Sequence, residues 1–345
     1  MSAPRIDLAL SQGALALPGD GRVAVVGARA GTDLSMLPAD RVEVVTGFAP
    51  DHAHFSDRGL SCATDLTGRY AAVIVMLPRA KAQAQAWIAG AVAASDGWVA
   101  VDGTRHDGVD SILRAVRARV AVTGPVNKAH GKLFWFDATA AQGAFDDWAQ
   151  GAPAANADGW ITAPGVFSAD GVDPASALLA DALPEEVSGH VIDLGAGWGY
   201  LASRALERPG ITRLDLVEAE HAALECARAN VTDPRAAFQW ADATRWRPNA
   251  SADHVITNPP FHASRTADPG LGRAFLEAAA DMLKPGGRLW VVANRHLPYE
   301  DALRAQFAQV EDLGGGTRFK ILAARLAARP SARATSRQGG RGSLT

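Results

Sequence analysis

Residues 191–199 read Val-Ile-Asp-Leu-Gly-Ala-Gly-Trp-Gly, and the pattern of this stretch decides the fold. A short apolar run enters a glycine-rich turn, and a segment with helical periodicity follows at 200–207. A strand joined to a helix by such a turn is typical of the first unit of a doubly wound sheet. Further strands are predicted at 213–218, 254–257 and 288–293, and further helices at 221–230 and 272–283. This alternation predicts a mostly parallel α/β sheet with helices on both faces.

The first half of the chain repeats this layout. Its predicted strands are 23–26, 41–45, 72–76 and 98–101. The stretches 23–27, 73–78 and 97–101 match 191–195, 255–260 and 287–292 in the same order, the last with one residue removed. We therefore predict two tandem Rossmann-like domains, residues 1–155 and 160–328, divided by the helix-breaking stretch at 151–159. Two unrelated α/β domains would give similar strand–glycine patterns, so that alternative stays open.

The two halves differ at the positions where a ligand would bind. Asp193, Gly197 and Asn258 of the second half correspond to Val25, Arg29 and Met76 of the first. Each replacement removes a polar group or adds a side chain where the backbone must approach a ligand closely. The N-terminal domain is therefore predicted to be degenerate, and the C-terminal domain to carry the site.

The composition predicts a cytoplasmic globular protein. The 345 residues are 48% hydrophobic and 21% charged with a net charge of −3, and they suffice for two cores. The sequence has neither a run of about 18 apolar residues that would cross a membrane nor the pattern of a secretion signal. The two distant cysteines, Cys62 and Cys226, indicate neither a disulfide scaffold nor a metal site.

Asp193 discriminates between two kinds of ligand for the glycine-rich turn. Gly195 and Gly197 let the backbone approach a ligand at the carboxyl edge of the sheet. A carboxylate just before the turn attracts an ammonium group, as in S-adenosylmethionine, whereas it repels the pyrophosphate of a dinucleotide. The dinucleotide pattern G-x-G-x-x-G is also incomplete, because position 200 is Tyr200. The sequence therefore predicts an S-adenosyl-L-methionine site.

Two further acidic residues are candidates for the same site. Glu218 ends the next predicted strand, roughly 20 residues past the glycines, where an acid can bind both ribose hydroxyls. Asp242 lies where a third strand should end, and its side chain could accept from the adenine amino group. The alternative for Glu218 is an ordinary surface carboxylate, and the alternative for Asp242 is a helix cap or a turn residue.

The tetrad Asn258-Pro259-Pro260-Phe261 follows the fourth predicted strand, at the same edge of the sheet. The Asn258 side-chain oxygen and the Pro259 carbonyl can each accept one N–H of a planar exocyclic amine. Such acceptors favour the positively charged, tetrahedral nitrogen that forms as a methyl group arrives. The prolines stiffen the loop, and Phe261 can stack on a displaced base, which is worth about 1–3 kcal/mol. The alternative is a rigid turn capped by Asn258.

The second half resembles the class I methyltransferases of the ribosomal RNA small-subunit methyltransferase C type, which modify guanine N2. Besides the tetrad, the resemblance rests on the segments 164–168, 170–173, 292–294, 297–299 and 318–321, and it extends over 163–326. That family also carries a degenerate N-terminal duplicate. The resemblance implies methyl transfer from S-adenosylmethionine to the exocyclic N2 amine of a guanine in small-subunit (16S) ribosomal RNA. It also implies a monomer that works on ribosomal RNA or on the small ribosomal subunit.

By the same resemblance, the first domain supports folding and RNA docking. Lys128 and Lys132 precede the aromatic run at 134–136, a combination that RNA-binding surfaces often use. Arg318 and Lys320 stand at the corresponding place in the second half. All four basic residues are candidate RNA contacts, while for the aromatic run itself we favour a buried strand.

The stretch 329–345 contains four arginines and no acidic residue, and its glycines and proline oppose a stable helix. We predict a basic disordered tail that contacts the phosphate backbone of RNA. A solvated terminus without a partner is the alternative.

Two other classes of function stay open. The same chemistry could act on the N6 amine of an adenine in DNA or RNA, or on a protein glutamine. Those families favour Tyr where this chain has Phe261, which argues against them. A non-catalytic RNA-binding or assembly protein would not need an intact Asp193, Glu218 and Asn258.

Overall fold

The computed structural model describes residues 4–149, 153–260 and 269–328, and the elements of its first half build one sheet. The helices of this half are α1 (Pro4–Ser11), α2 (Ala49–Asp57), α3 (Lys81–Ala94) and α4 (Val109–Arg117). Its strands are β1 (Val23–Val26), β2 (Val42–Val45), β3 (Ser61–Ala63), β4 (Tyr70–Met76), β5 (Ser95–Thr104), β6 (Thr123–Lys128) and β7 (Gly131–Asp137). Two short 3-10 helices, Arg105–Asp107 and Asp146–Trp148, complete it.

A two-stranded link, β8 (Ala154–Ala155) and β9 (Ile161–Thr162), leads to the second half. The helices there are α5 (Pro174–Ala182), α6 (Tyr200–Ala205), α7 (His221–Asn230), α8 (Pro269–Met282) and α9 (Tyr299–Arg304). The strands are β10 (Gly189–Leu194), β11 (Ile211–Glu218), β12 (Ala236–Trp240), β13 (Ala252–Thr257), β14 (Leu283–Asn294), β15 (Gln309–Gly314) and β16 (Phe319–Arg325).

The two seven-stranded sheets have the same strand order. It is β3-β2-β1-β4-β5-β7-β6 in the first sheet and β12-β11-β10-β13-β14-β16-β15 in the second. Among the described strands of these two sheets, only β7 and β16 run antiparallel, each to both of its neighbours. The predicted tandem, mostly parallel α/β fold is therefore confirmed.

The sheets are buried on both faces, as strand β4 illustrates. Val73 and Val75 pack with Ile88 of α3 in one core, whereas Ile74 packs with Phe55 of α2 in the opposite core. A strand that is covered on both sides reads as a continuous apolar run rather than as an alternation. That is why hydrophobicity alone places such strands so well.

The strand registers show which positions of the two sheets are equivalent. Val25 of β1 pairs with Ile74, and Asp193 of β10 pairs with Ile256 in the same place of the second sheet. Val25 and Asp193 therefore occupy equivalent positions, as the sequence comparison predicts. Two residues beyond Ile74 and Ile256 stand Met76 and Asn258, the other predicted pair.

One detail of the predicted alignment is wrong. Ile74 pairs with Ala100, and Ile256 pairs with Trp290. In both strands a glycine lies three residues before that partner, so β5 and β14 align without the one-residue deletion expected at this place. The sequence comparison matched the ends of the apolar runs, but Asp102 continues β5 where an apolar residue continues β14.

The aromatic run lies in β7, where Phe134 and Phe136 are buried. This confirms the buried strand that we favour for it. Across the ranges that the structure describes, no helix is long and apolar enough to cross a membrane.

Candidate active site

Three of the predicted site residues meet at the carboxyl edge of the second sheet. Asp193 lies near the end of β10, Glu218 ends β11, and Asn258 follows β13. These are adjacent strands in the order β11-β10-β13, and all three are parallel. The side-chain oxygen of Thr257 donates to the carbonyl of Leu194 at 2.6 Å and ties the ends of β13 and β10 together.

The turn after β10 has room beside it for a ligand. Gly195 and Gly197 have φ values of +80° and +55°, a left-handed conformation that favours glycine. A Cβ atom on Gly195 would lie 3.0 Å from the ring of Phe275, whereas a Cβ on Gly197 would meet nothing within 4 Å. The turn therefore packs against α8 at Gly195 and faces open space at Gly197.

The carboxyl group of Asp193 is buried without a partner. The residue has no exposed surface, and neither side-chain oxygen accepts a hydrogen bond from any group that the structure describes. Burial and the nearby charge of Glu218 raise the pKa of Asp193 to about 8. The backbone amide of Ala202 is near enough to oppose this shift, but it does not reach the geometry of a hydrogen bond. A buried polar group without a partner is uncommon and calls for a ligand or a water molecule. An ammonium group fits this position.

Glu218 holds the loops around it through its two carboxylate oxygens. One oxygen accepts from the amide of Gly197 at 2.8 Å, and the other accepts from the amide of Glu220 at 2.8 Å. Burial raises the pKa of Glu218, while these backbone amides oppose the shift. Glu218 is thus a partly buried residue of the site and not the surface carboxylate of the alternative interpretation.

Asp242 lies two residues beyond the end of β12. Its Oδ1 accepts from the backbone amide of Thr244 at 2.9 Å and from the Thr244 hydroxyl at 2.6 Å. This is the turn role that the sequence allows as an alternative. The contact to an adenine amino group stays a prediction.

The nitrogen of the Asn258 side-chain amide has hydrogen-bond partners, whereas its oxygen has none among the described residues. Its Nδ2 donates to Asp173 Oδ2 and to Ser176 Oγ, both at 2.9 Å. Its Oδ1 is buried and accepts nothing from the described residues. Because the two acceptors fix the nitrogen, the oxygen is left available to accept from an N–H of a substrate.

Asp173 and Ser176 are functional candidates that our sequence analysis does not assign. Asp173 caps α5 and accepts from the Ser176 amide at 2.9 Å, and Pro174 begins the helix. The Asp-Pro pair is a recognisable helix start. No sequence pattern, however, indicates that this start reaches Asn258, more than eighty residues away.

The other residues of the tetrad differ in their surroundings. Pro259 is buried and Pro260 is exposed. Phe261 lies outside the described residues, so its stacking role stays a prediction.

One of the predicted RNA contacts, Lys320, is wrong. Lys320 is 3% exposed, and its Nζ donates to the Leu297 carbonyl and to Glu300, both at 2.6 Å. Lys132 occupies the equivalent position of the first sheet and pairs with Asp110 at 2.7 Å. Each ammonium group pairs with an acid near the start of the preceding helix. That of Lys320 is buried and not free for a phosphate, whereas Lys132 is partly exposed and its RNA contact stays a prediction.

Arg318 and Lys128, in contrast, are exposed. Arg318 lies over the ring of Phe319, with 5.2 Å between the guanidinium carbon and the ring centroid. With Arg295 and His296 it lines an open cavity of about 430 Å³ at the end of β14. This group, Arg295, His296 and Arg318, is called the C-terminal basic cradle below.

The first domain has a similar cavity of about 250 Å³, which Arg105, Lys128 and His130 line. These three residues are called the N-terminal basic cradle. The two cradles are equivalent in the fold, because Arg105 N donates to the His130 carbonyl at 3.1 Å and Arg295 N donates to the Arg318 carbonyl at 2.9 Å. Each domain therefore presents basic side chains at the same place beside its sheet.

The fold is a class I methyltransferase architecture in two tandem copies, with a candidate ligand site in the second. Residues 159–323 match the family model of the methyltransferase small domain. The ribosomal RNA large subunit methyltransferase G of Shewanella amazonensis is 36% identical over 165 residues, which cover 46% of this chain and 43% of that protein. The ribosomal RNA small subunit methyltransferase C of Serratia proteamaculans is 34% identical over 175 residues, 49% of each protein. The chain thus spans about half the length of these two curated relatives.

Two further matches extend into the first domain. The ribosomal RNA small subunit methyltransferase C of Shewanella sp. (strain MR-4) is 28% identical over 262 residues, which cover 73% of this chain and 76% of that protein. The solved structure of the T. thermophilus 16S rRNA N2 G1207 methyltransferase (RsmC), in complex with AdoMet and guanosine, superposes with a TM-score of 0.76. It is 26% identical, and the match covers 94% of this chain and 92% of that one. The chain therefore has the two-domain fold of these class I methyltransferases and is similar to them in sequence across both domains, which confirms the resemblance found in the sequence.

Proposed function

We propose that this protein transfers a methyl group from S-adenosyl-L-methionine to the exocyclic N2 amine of a guanine in small-subunit ribosomal RNA. One observation carries the proposal. A buried carboxylate, Asp193, and a buried amide oxygen, that of Asn258, have no hydrogen-bond partner among the described residues and lie at the ends of adjacent parallel strands. The first suits a cation, and the second suits the N–H of an amine.

The residues around Asp193 fit S-adenosylmethionine. Asp193 would face its ammonium group, the turn at Gly195 and Gly197 would lie against it, and Glu218 would accept from the ribose hydroxyls. Asp242 would accept from the adenine amino group. When bound, this cofactor supplies an electrophilic methyl group on a sulfonium centre.

The acceptors at Asn258 would act on the nucleophile. The lone pair of a guanine N2 amine is delocalised into the ring, which makes the nitrogen a poor nucleophile. Asn258 Oδ1 and the Pro259 carbonyl would each accept one N–H bond and so stabilise the tetrahedral nitrogen as its positive charge develops. Water can take the proton afterwards, since the methylated ammonium is acidic, and no strong base is needed.

The basic cradles support an RNA substrate. Phosphate contacts from arginine and lysine supply most of the sequence-independent affinity for nucleic acid. The C-terminal basic cradle lies at the end of β14, beside the strand that leads to Asn258. The names of the relatives, which modify ribosomal RNA, agree with this substrate class.

We further propose the division of labour predicted from the sequence. Residues 160–328 would perform catalysis, residues 1–155 would support folding and RNA docking, and the tail at 329–345 would contact phosphate. The protein would work in the cytoplasm as a monomer, on ribosomal RNA or on the small ribosomal subunit.

Product analysis tests the proposal. The protein is incubated with S-adenosylmethionine carrying a labelled methyl group and with unmodified 16S RNA or small subunits, and the RNA is digested to nucleosides for mass spectrometry. The expected product is N2-methylguanosine, and Asn258→Ala, which should form it much more slowly, is the control. N6-methyladenosine would favour the alternative amine substrate, and methyl on a ring nitrogen, a carbon or a ribose would contradict the mechanism.

A further inference from the structure

The loop that carries Glu218 has a counterpart in the first domain. In the first sheet Val25 pairs with Val44, and in the second Asp193 pairs with Leu216. Because Val25 and Asp193 are equivalent, Val44 and Leu216 are equivalent as well. The loop at 46–49 therefore corresponds, residue by residue, to the loop at 218–221.

These two equivalent loops bind each other across the domain interface. Ala49 N donates to the Ala219 carbonyl at 2.8 Å, and His221 N donates to the Gly47 carbonyl at 2.8 Å. Between these two bonds, Phe48 and Glu220 form an isolated antiparallel bridge. Ala49 is equivalent to His221, and Gly47 is equivalent to Ala219. In each bond the donor and the acceptor therefore occupy the same positions of the loop, and the contact has local twofold symmetry.

A tryptophan of the second domain closes this contact. Trp240 Nε1 lies 2.9 Å from the carbonyl of Gly47 and 2.9 Å from that of Ala219, one from each loop. The rings of His52 and His221 meet Trp240 edge-on, with centroids 5.0 and 5.4 Å away. The two loops are thus held by main-chain hydrogen bonds and by one shared side-chain donor.

The packing at the contact leaves little freedom. A Cβ atom on Gly47 would lie only 3.2 Å from Glu220 Oε1 and 3.4 Å from the Cβ of His221. Arg29 and Asp51 of the first domain form an ion pair at 3.2 Å, and their charges reach Glu220. Burial in this contact, together with Glu218, raises the pKa of Glu220 to about 7.

The loop at 218–221, which binds the first domain, also holds the Glu218 carboxylate. The amide of Glu220 donates to one oxygen of Glu218, and the amide of Gly197 donates to the other. Residues 219 and 221, on either side of Glu220, make the hydrogen bonds to the first domain. The position of the Glu218 carboxylate therefore depends on a main-chain segment that the first domain fixes on both sides.

We propose that residues 46–49 of the first domain position Glu218 for the ribose of S-adenosylmethionine, and that the degenerate domain in this way sets the affinity for the cofactor. The inference rests on the proposed function, in which Glu218 accepts from the ribose hydroxyls. Thr46 occupies the position that is equivalent to Glu218. The loop at 46–49 therefore lacks a carboxylate of its own for a ribose, and it instead holds the loop that carries Glu218 in place. Fixing the loop before binding removes the entropy cost of ordering it when the ligand arrives.

A matched pair of variants at position 221 tests one of the hydrogen bonds between the two loops. His221 is the first residue of α7, where proline is tolerated, and Glu220 before it is extended, as a residue before proline should be. His221→Pro removes the N–H that donates to Gly47, whereas His221→Ala removes the side chain and keeps that N–H.

Calorimetric titration with S-adenosylmethionine should give a dissociation constant about fivefold higher for His221→Pro than for His221→Ala, the scale of one lost hydrogen bond. The turnover number at saturating cofactor and the Michaelis constant for RNA should be the same in the two variants. Trp240→Phe keeps an aromatic ring but removes the N–H group that both loops share. It should therefore also raise the dissociation constant for S-adenosylmethionine. It also serves as the test if His221→Pro does not fold.

The outcomes separate the two proposals. The positioning role of residues 46–49 would be overturned if His221→Ala and His221→Pro bound S-adenosylmethionine equally well. It would also be overturned if His221→Pro raised both the dissociation constant for S-adenosylmethionine and the Michaelis constant for RNA. Absence of S-adenosylmethionine binding by the unchanged protein would overturn the proposed function, and the positioning of Glu218 with it.

Discussion

At the scale of single residues, Asp193 combines a cost in stability with the role in cofactor binding that we propose for it. Its pKa of about 8 in the folded, ligand-free protein lies well above the usual value. A group whose pKa rises on folding stabilises the fold fully below its unfolded pKa, near 4, and that contribution is lost as the pH rises towards 8. A cationic ligand reverses the preference, because it favours the carboxylate.

We therefore expect the affinity for S-adenosylmethionine to increase with pH between about 6 and 8, by up to about tenfold per unit. The increase should end near pH 8, where an α-amino group such as that of the ligand itself loses its proton. Calorimetry in two buffers of different ionisation enthalpy measures the proton that Asp193 releases on binding.

Asp193→Asn is the control for this prediction. It should bind the cofactor weakly at every pH, and it should raise the unfolding temperature of the ligand-free protein at pH 8, because no charge is then buried. An affinity of the unchanged protein that does not vary with pH would contradict the assignment of Asp193.

Asn258 is the second residue with a separable role. Asn258→Ala should cut turnover by about 100-fold or more, the scale for one lost transition-state contact, and should leave S-adenosylmethionine affinity unchanged. The reason is that its free oxygen would meet the amine and not the cofactor. Single-turnover kinetics and calorimetry measure the two quantities.

Ser176→Ala is a milder companion variant. It removes one of the two acceptors that orient the Asn258 amide but leaves the helix cap at Asp173 in place. We expect turnover to fall by about fivefold. A loss of cofactor affinity in either variant would show that Asn258 does not belong to the amine site.

At the scale of elements, the hairpins β6–β7 and β15–β16, one at the end of each domain, supply part of each basic cradle: Lys128 and His130 in the first, and Arg318 in the second. In the first hairpin Ala129 and His130 adopt left-handed conformations, with φ of 49° and 54°. The second hairpin uses Gly314, Gly315 and Gly316 at positive φ for its turn. A left-handed Ala costs free energy that glycine avoids, and such strain concentrates at functional sites.

Arg318→Ala and Arg105→Ala should each weaken RNA binding and lower the log–log salt slope by about 1, since each removes one phosphate contact. Filter binding over a range of salt concentrations gives the slope. Arg304→Ala is the matched control, because Arg304 is an exposed arginine of α9 that pairs with Asp301 outside both cradles. If the salt slopes of Arg318→Ala and Arg105→Ala equal that of Arg304→Ala, the two basic cradles do not contact RNA phosphates.

At the scale of the whole molecule, the arginines at 329–345 lie outside the described residues. Deleting 329–345 should leave the unfolding temperature unchanged and lower the salt slope of RNA binding by about 3–4, one unit for each lost phosphate contact. Exchanging the four arginines for lysines should keep the slope, since the charge is retained. An unchanged slope after deletion would indicate a solvated terminus without a partner.

The sequence by itself determined the two mostly parallel sheets and the edge at which the candidate site residues lie. Strands covered on both faces must be apolar throughout, and parallel strands bring their carboxyl ends to one edge. Asp193, Glu218 and Asn258 therefore converge as predicted. The contrast between Asp193 and Val25 likewise distinguishes the copy in which we propose the site from the other.

Only the tertiary structure decided which polar groups are already engaged. Lys320 and Glu300, or Asn258 and Ser176, are distant in the chain, and residue periodicity reports which face a side chain occupies but not which distant partner it meets. The same holds for the contact between Gly47 and His221, which no motif indicates. Exposure of a lysine, orientation of an amide and docking of one domain on another depend on non-local packing, and that packing exists only in the folded chain.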